Sequence, residues 1–303
     1  MGLRICPLAS GSSGNATYIS TGKTSVLVDC GTTRRDLVAL LDAIQVRPAD
    51  LDGILITHAH RDHYKSAGSI HAQFEVPVFV DPATAWAAYR RGAGTSWPRI
   101  REPRPIPEAI GDLGIRAFDT QHGVSRHGFT PAGRPVDEGR TVGFVLEHHR
   151  RRVAIATDIG VVTPTVLEAL RGVDAMIIEA NYDDRTIDEK LSGKIGDFRA
   201  CAEYLEWVRG DWGHLSNRQC GEALAGALTR KNCHVYLGHM SVPHSDPRMD
   251  NNNVEEAVRT VTAILQNAGA PMPHLHRTCR LLAPRKGTNG RSEPLPMADL
   301  IEL

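Results

Sequence analysis

The strongest constraint on the fold of this chain is a group of metal-ligand side chains within one short segment. Residues 57–63 read THAHRDH and directly follow the apolar run 53–56. Alternate side chains of a strand point the same way, so two histidines leaving its end can face one site. The last two positions of the segment begin a stretch, 62–74, with helical periodicity. The sequence therefore predicts a strand-to-helix turn that suits two adjacent Zn or Mn ions and gathers His58, His60, Asp62 and His63.

The composition is typical of a folded α/β protein and does not by itself indicate a nucleic-acid binder. With 303 residues and 41% hydrophobic content, the chain can bury the core of one large domain or two small ones. Its formal net charge is zero, whereas nucleic-acid-binding proteins usually carry a basic excess. Basic clusters are local, at 99–104, 148–152 and 285–291, and solvated exposed faces would account for each of them.

Cysteine usage and hydropathy give no sign of export or membrane insertion. The six cysteines are scattered without a CxxC pair, which is typical of reduced thiols rather than of a disulfide framework. The N-terminus shows no apolar signal region, and no segment is long and apolar enough to cross a membrane. We therefore expect a cytoplasmic protein without a membrane partner.

Short β-branched runs alternate with helical patterns along the chain. Strands are predicted at 24–29, 53–57, 76–80, 115–119, 141–146, 153–157, 175–179 and 234–237. Helices are predicted at 34–44, 62–74, 84–91, 164–170, 197–208, 217–228 and 254–268. This order suggests two mixed β-sheets packed face to face with helices outside, an α/β sandwich in four layers (αββα). The periodicity supports a layered α/β protein but does not alone specify that topology.

Three segments are predicted to lie outside the regular layers. Residues 123–139 are rich in Gly, Pro and charge, which predicts a long loop. Residues 284–296 resemble a linker, and 297–303 could dock as a short helix or stay free. We therefore expect one domain over 1–283 and a C-terminal tail over 284–303.

Three further ligand-type residues each follow a predicted strand: His122, Asp158 and His239. Strand ends in a layered α/β fold converge on one edge, where sites form. These three side chains are therefore expected to join the cluster at 57–63.

In this set and order, the residues resemble the signature of the metallo-β-lactamase-fold hydrolases, HxHxDH followed by a distal His, an Asp and a last His. The match extends from Leu8 to about His239. The resemblance implies that His58, His60 and His122 hold one metal ion. It implies that Asp62, His63 and His239 hold the other, with Asp158 bridging both. His127, in the long loop, is a rival to His122, which is favoured because it stands at a strand end.

Shorter motifs resemble one branch of that family, the WalJ (YycJ) bacterial nucleases. Residues 8–19 (LASGSSGNATYI) resemble the opening of that branch. The pair 179–182 (EANY) and 213–217 (GHLSN) resembles elements found there and in ribonuclease Z. Residues 238–241 (GHMS) with the asparagines 251–253 resemble its last motif. The chain departs from the branch by inserting 242–250 and by lengthening the loop after His122, which bears on substrate specificity rather than on metal chemistry.

This resemblance implies phosphodiester hydrolysis at two divalent ions. Such ions clamp the attacking and leaving oxygens and lower the pKa of a water so that hydroxide forms near neutral pH. Asp62 is implied to accept the proton of that water, and His214, oriented by Glu179, to protonate the leaving oxygen. The Gly-rich turn that carries Ser10, Ser12 and Asn15 could cradle a phosphate through its backbone N–H groups. A plain tight turn is equally compatible with this sequence.

The leading interpretation is a metal-dependent nuclease that uses Zn or Mn and cuts nucleic acid, with DNA favoured and 5′–3′ exonuclease action implied by the resemblance. A small-molecule hydrolase acting on a lactone, thioester, cyclic phosphodiester or β-lactam is the alternative. A di-iron redox centre is disfavoured because such relatives tend to have Glu at the position of His60. A metal-free scaffold is disfavoured by the intact ligand set.

Overall fold

The computed structural model describes residues 2–90, 96–100, 102–123, 139–241, 250–277 and 300–303. Within them the chain forms two β-sheets. The strands are β1 (Arg4–Ala9), β2 (Ala16–Ser20), β3 (Ser25–Val28), β4 (Gly53–Leu55), β5 (Val78–Phe79), β6 (Ala109–Ile110), β7 (Leu113–Asp119), β8 (Val142–His148), β9 (Arg151–Ala156), β10 (Ala175–Glu179), β11 (His234–Gly238), β12 (His274–Arg277) and β13 (Ile301–Glu302). The first sheet has the order β13-β1-β2-β3-β4-β5 and the second β12-β11-β10-β9-β8-β7-β6.

Helices cover the outer face of each sheet. They are α1 (Arg34–Ala43), α2 (Arg61–Tyr64), α3 (Ala67–Phe74), α4 (Pro82–Arg90), α5 (Pro164–Leu170), α6 (Asp184–Leu191), α7 (Ala202–Val208), α8 (Asn217–Ala227) and α9 (Val254–Asn267). Side chains of α1, α3 and α4 share one buried core with the first sheet. Side chains of α5, α8 and α9 share another with the second sheet. The predicted four-layer αββα sandwich of two mixed sheets is confirmed.

The central strands bury both of their faces, which explains their continuous apolar sequences. In β3, Val26 and Val28 enter the core between the sheets, whereas Leu27 enters the helix-covered core. Strands β3, β4 and β5 run parallel, as do β9, β10, β11 and β12. Their carboxyl ends therefore deliver loops to the same edges, as the sequence predicted.

The predicted helix 62–74 is broken into α2 and α3 by a tertiary contact. At the junction, the Ser66 N–H donates to the Cys30 carbonyl at 2.9 Å, so the chain leaves the helical path there. The predicted helix 197–208 is α-helical only from Ala202, after a 3-10 turn at Arg199–Cys201. Helix α6 was not predicted, although the Asp183 carboxylate caps it by accepting from the Thr186 N–H at 2.9 Å.

The end of the chain adds a strand to the first sheet, so the predicted helix or free end is wrong for residues 301–302. They pair antiparallel with β1, Ile301 opposite Ile5 and Glu302 opposite Arg4. The Leu303 N–H also donates to the Leu3 carbonyl at 2.9 Å. An edge strand offers unpaired backbone groups, and this pairing satisfies them.

Several predicted features lie outside the described residues. They are His127 with most of the loop 123–139, most of the insertion 242–250, the basic cluster 285–291 and the boundary proposed at 283/284. None of the described helices combines the length and apolar character needed to cross a bilayer.

Candidate metal centre

Loops at the carboxyl ends of strands bring the predicted ligands to one place. Strand β4 leads to His58 and His60, with Asp62 and His63 on α2. Strands β7, β9 and β11 lead to His122, Asp158 and His239. With Glu179 and His214, these residues form three overlapping groups, each of which could hold a metal ion. Within each group, the potential ligand atoms lie within 4.8 Å of one another. The groups are His58, His60, His122 and Asp158; Asp62, His63 and His239; and Asp158, Glu179, His214 and His239.

The first group surrounds one oxygen of Asp158. His122 Nε2 lies 3.2 Å from His60 Nδ1 and 3.5 Å from Asp158 Oδ1. His58 Nε2 lies 3.9 Å from the same oxygen. Three imidazoles and one carboxylate oxygen thus face a shared space.

The second group faces the first across the same carboxylate. His63 Nε2 lies 3.2 Å from Asp158 Oδ2 and 3.4 Å from Asp62 Oδ2. His239 Nε2 lies 3.6 Å from Asp62 Oδ2 and 3.5 Å from Asp158 Oδ1. Asp158 therefore presents an oxygen to each group, which is the position of a bridging ligand.

Unsatisfied polar atoms show that this donor set fits divalent cations. His58 Nε2, His239 Nε2 and Asp158 Oδ2 are buried and have no hydrogen-bond partner within the described structure. Buried polar atoms without partners are rare because losing water costs free energy. Imidazole nitrogen and carboxylate oxygen are good ligands for ions such as Zn and Mn, and a bound ion would satisfy all three atoms.

Burial and neighbouring charge set the protonation of these histidines in opposite ways. Burial lowers the pKa of His122 to about 3 against the opposing carboxylate of Asp158. Burial also acts to lower the pKa of His239, but Asp158, Asp62 and Glu179 outweigh it and raise the pKa to about 10. His122 is therefore a free base, whereas His239 holds a proton that a binding cation would displace.

A buried aspartate that the sequence analysis missed orients the candidate ligands His58 and His63. His63 Nδ1 donates to Asp29 Oδ2 at 2.7 Å, and the Thr57 N–H donates to Asp29 Oδ1 at 2.9 Å. His58 Nδ1 contacts the Thr57 hydroxyl at 3.0 Å. Such outer contacts turn Nε2 of each ring toward the other candidate ligands, as in metal sites where a second group orients a histidine ligand. The available signal was that Asp29 follows β3 as the other ligand-type residues follow their strands.

We expect Asp29→Asn to lower metal affinity by roughly 10–100-fold, the usual effect of losing an outer carboxylate. Asparagine tolerates the left-handed backbone of Asp29, whose φ is 63°, so the change removes charge with little added strain. Competitive titration with a fluorescent chelator measures the affinity. Asp183→Asn, at the cap of α6, is the matched control, because Asp and Asn cap helices about equally. Unchanged affinity in Asp29→Asn would contradict this role.

The predicted pair of Glu179 and His214 is buried beside the candidate ligands Asp158 and His239. His214 Nδ1 donates to Glu179 Oε1 at 2.7 Å, and His239 Nδ1 contacts the same oxygen at 2.8 Å. Glu179 Oε2 accepts from the Ile159 and Leu215 N–H groups at 2.8 and 3.1 Å. Burial acts to raise the pKa of Glu179, but His214 and His239 reverse this, so the carboxyl stays ionised. With its Nδ1 engaged, His214 has Nε2 available to exchange a proton.

The Gly-rich turn supports the ligand loops. The Ser10 hydroxyl accepts from the His239 N–H at 2.8 Å. The Asn15 amide donates to His63 Nε2 at 3.0 Å and to Asp62 Oδ2 at 3.3 Å. Ser12 is exposed. Ser10 and Asn15 therefore contact candidate ligand residues, and the phosphate cradle stays a prediction.

Aromatic side chains from α7 line one wall of the centre, and the sequence analysis missed them. The Trp207 ring lies 5.9 Å from the His122 ring and 5.4 Å from the His214 ring. Tyr204 stacks on Trp207 at 5.9 Å. In sequence, aromatic residues on a helix look the same whether they fill a core or line a site.

Comparison with known sequences matches one family model and relatives that are named exodeoxyribonucleases. A family model described as a beta-lactamase superfamily domain matches residues 24–240. The exodeoxyribonuclease YycJ of Bacillus anthracis is 27% identical over 272 residues, which cover 89% of this chain and 91% of that protein. The exodeoxyribonuclease WalJ of Streptococcus pneumoniae serotype 2 is 29% identical over 277 residues, covering 90% and 91%.

Solved structures with the same fold are more distant in sequence. The metallo-beta-lactamase fold protein YhfI of Bacillus subtilis superposes with a TM-score of 0.59 at 14% identity, covering 91% of this chain and 95% of that one. The Zn(2+)-bound PqqB of Methylobacterium extorquens gives 0.62 at 12%, covering 90% and 97%. The short form of human tRNase Z gives 0.51 at 14%, covering 78% and 92%. These likenesses support the fold alone.

Proposed function

The chain belongs to the beta-lactamase superfamily, and from that premise we propose that it is a metal-dependent nuclease that hydrolyses DNA from the 5′ end. Relatives that it matches over nine-tenths of their length are named exodeoxyribonucleases, which supports a nucleic-acid substrate. One geometric observation carries the proposal. A histidine paired with a buried glutamate lies in the same cluster as the candidate metal ligands.

We assign the candidate ligands to two ion sites that share Asp158. His58, His60 and His122 would hold one divalent ion, and Asp62, His63 and His239 the other. Zn and Mn both suit these donors. When bound, such ions would neutralise phosphate charge and lower the pKa of a water toward neutrality.

Asp62 and His214 divide the proton transfers between them. The Asp62 side chain is 25% exposed whereas that of Asp158 is 2% exposed, so Asp62 is the carboxylate that water can reach and is placed to accept a proton. His214 is placed to give a proton to the leaving sugar oxygen. Glu179 holds its ring by Nδ1 and so fixes its tautomer and orientation. A sugar alkoxide leaves poorly without such a donor.

The nuclease proposal predicts metal-dependent release of mononucleotides from DNA. Purified protein with added Mn or Zn is incubated with 5′-phosphorylated and 5′-hydroxyl oligonucleotides of DNA and RNA. We expect products to accumulate from the 5′ end of DNA. The Asp62→Ala variant, made the same way, excludes a contaminating nuclease and should be inactive. No cleavage of any oligonucleotide, together with turnover of a lactone or thioester, would favour the small-molecule hydrolase instead.

We expect His214→Gln to lower kcat on DNA by roughly 10²–10⁴-fold, the usual contribution of a general acid. The loss should be much smaller with bis(p-nitrophenyl) phosphate, because p-nitrophenolate leaves without protonation. Metal content by elemental analysis should match the wild type. Equal losses on both substrates, or a fall in bound metal, would instead make His214 a ligand.

A further inference from the structure

A cationic cleft lies beside the candidate metal centre, on the side of α1 and α3. It has a volume of about 300 Å³, and its walls carry Arg34, Lys65 and Arg99 together with four Ser and Thr hydroxyl groups. None of its lining residues is acidic. Because the whole chain has a formal net charge of zero, three cations around one cleft represent a local concentration of positive charge.

These three cations are not neutralised by carboxylates of the described chain. Arg34 contacts the side-chain oxygen of Gln73, and the described structure shows no ion pair for Lys65 or Arg99. The nearby Asp36 accepts from the Thr33 hydroxyl at 2.6 Å and lies 3.6 Å from Arg35 Nε. Exposed arginines elsewhere, such as Arg209, pair with carboxylates. The cleft cations are therefore available to an anion from outside.

Backbone contacts hold the cleft open independently of its charges. The Ser96 N–H and hydroxyl both donate to the Lys65 carbonyl, at 3.3 and 2.9 Å. Gly68 lies directly against this segment, since a Cβ there would be 1.7 Å from the Ser96 carbonyl oxygen. Ser66, at the start of α3, is fixed to Cys30. A site whose walls are already in place loses less conformational entropy when it binds a ligand.

The chain path places the cleft next to the centre. Lys65 is two residues from His63, so their Cα atoms are at most about 7.6 Å apart. Ser66 and Ser69, at the N-terminus of α3, line the same cleft, so the partial positive charge of that helix end lies beside it. Positive side chains, hydroxyls and a helix N-terminus together suit a phosphate group.

We propose that this cleft binds a backbone phosphate that flanks the scissile one, so that the strand runs from the metal centre into the cleft. The inference rests on the proposed nuclease function and adds where the strand leaves the centre. Arg34, Lys65 and Arg99 bind the flanking phosphate through their positive charges and N–H donors. They contact the backbone alone and carry no base preference.

Binding and kinetics of a triple variant, Arg34→Gln with Lys65→Gln and Arg99→Gln, test the proposal. Fluorescence anisotropy with a labelled single-stranded DNA, in chelator so that no cleavage occurs, gives Kd as a function of salt. Each lost phosphate contact should reduce the slope of log Kd against log salt by about 0.7. We expect a 5–50-fold weaker Kd and a matching rise in KM with kcat retained. Inorganic phosphate should compete with DNA for the wild type and much less for the variant.

The matched control removes the same charge from the opposite edge of the fold. Arg150→Gln, Arg171→Gln and Lys231→Gln precede strands β9, β10 and β11, whose other ends carry the centre. This control should keep Kd within about twofold, and thermal unfolding should show both triple variants folded. The inference would be overturned if both triple variants weakened DNA binding equally, or if the cleft variant did not weaken it. It would also be overturned if phosphate displaced DNA from neither the wild type nor the cleft variant. A cleft that binds polyglutamate in preference to DNA would overturn it as well.

The two proposals fail in different ways. If the wild type cleaves DNA and the cleft variant has an unchanged KM, the cleft inference fails and the nuclease proposal stands. If the wild type neither binds nor cleaves any oligonucleotide, both fail.

Discussion

Asp158→Asn should abolish metal-dependent activity, with a loss of at least about 10³-fold, because one carboxylate faces both groups of candidate ligands. Asparagine keeps the shape of the side chain, but its amide nitrogen cannot bind a cation, so one of the two ion contacts is lost. The carboxylate is 2% exposed, and within the described structure Oδ2 has no hydrogen-bond partner.

Elemental analysis and thermal unfolding measure whether the Asp158→Asn variant still binds metal. A ligand present at 1,000 times its Kd stabilises the folded state by about 4 kcal/mol. For a chain of this size we therefore expect chelator to lower the wild-type Tm by on the order of 10 °C. Chelator should leave the Tm of Asp158→Asn nearly unchanged. A variant that retains both stoichiometric metal and a chelator-sensitive Tm would show that Asp158 does not bridge.

Gly31→Ala should cost about 2–4 kcal/mol of unfolding free energy and most of the activity, by steric overlap at the centre. A Cβ at Gly31 would lie 1.5 Å from the Asp62 carbonyl oxygen and 2.1 Å from its carbon. Neither backbone can move away easily. The Gly31 N–H donates to the Asn15 carbonyl at 2.8 Å, and the Cys30 N–H to the His63 carbonyl at 2.6 Å. The overlap would displace the segment that carries Asp62 and His63.

Gly226→Ala is the matched control for this prediction. Gly226 lies within α8, and its Cβ would meet a Leu167 methyl group at 3.7 Å, an ordinary contact. Alanine in a helix is favoured over glycine by about 1 kcal/mol, so this variant should be as stable as the wild type or slightly more stable. Chemical denaturation compares the two variants. Similar stabilities would mean that the contact of Gly31 with Asp62 does not constrain the loop.

Local sequence was sufficient to predict a layered α/β protein and to single out the ligand-type residues. Hydrophobic periodicity depends on neighbouring residues, and it located central strands of both sheets and most helices. The segment 57–63 gathers four ligand-type side chains through chain geometry alone. His122, Asp158 and His239 were found because each directly follows a strand-like run, and parallel strands end at a common edge.

Tertiary structure decided features that depend on residues distant in the chain. The break between α2 and α3 follows from the contact of Ser66 with Cys30, which helical periodicity cannot anticipate. The pairing of Ile301 with Ile5 depends on where the chain returns after nearly 300 residues.

The residues that support the candidate centre and those that form the cationic cleft are also brought together only by tertiary packing. Asp29 became recognisable as a supporting residue only from its 2.7 Å contact with His63, 34 positions away. Arg34, Lys65 and Arg99 form a cleft because α1, α3 and the segment near Ser96 pack together, and each alone reads as a solvated surface charge. Sequence periodicity records which face of an element is buried. Only packing determines which side chains of separate elements meet, because a contact between distant residues leaves no pattern in the residues between them.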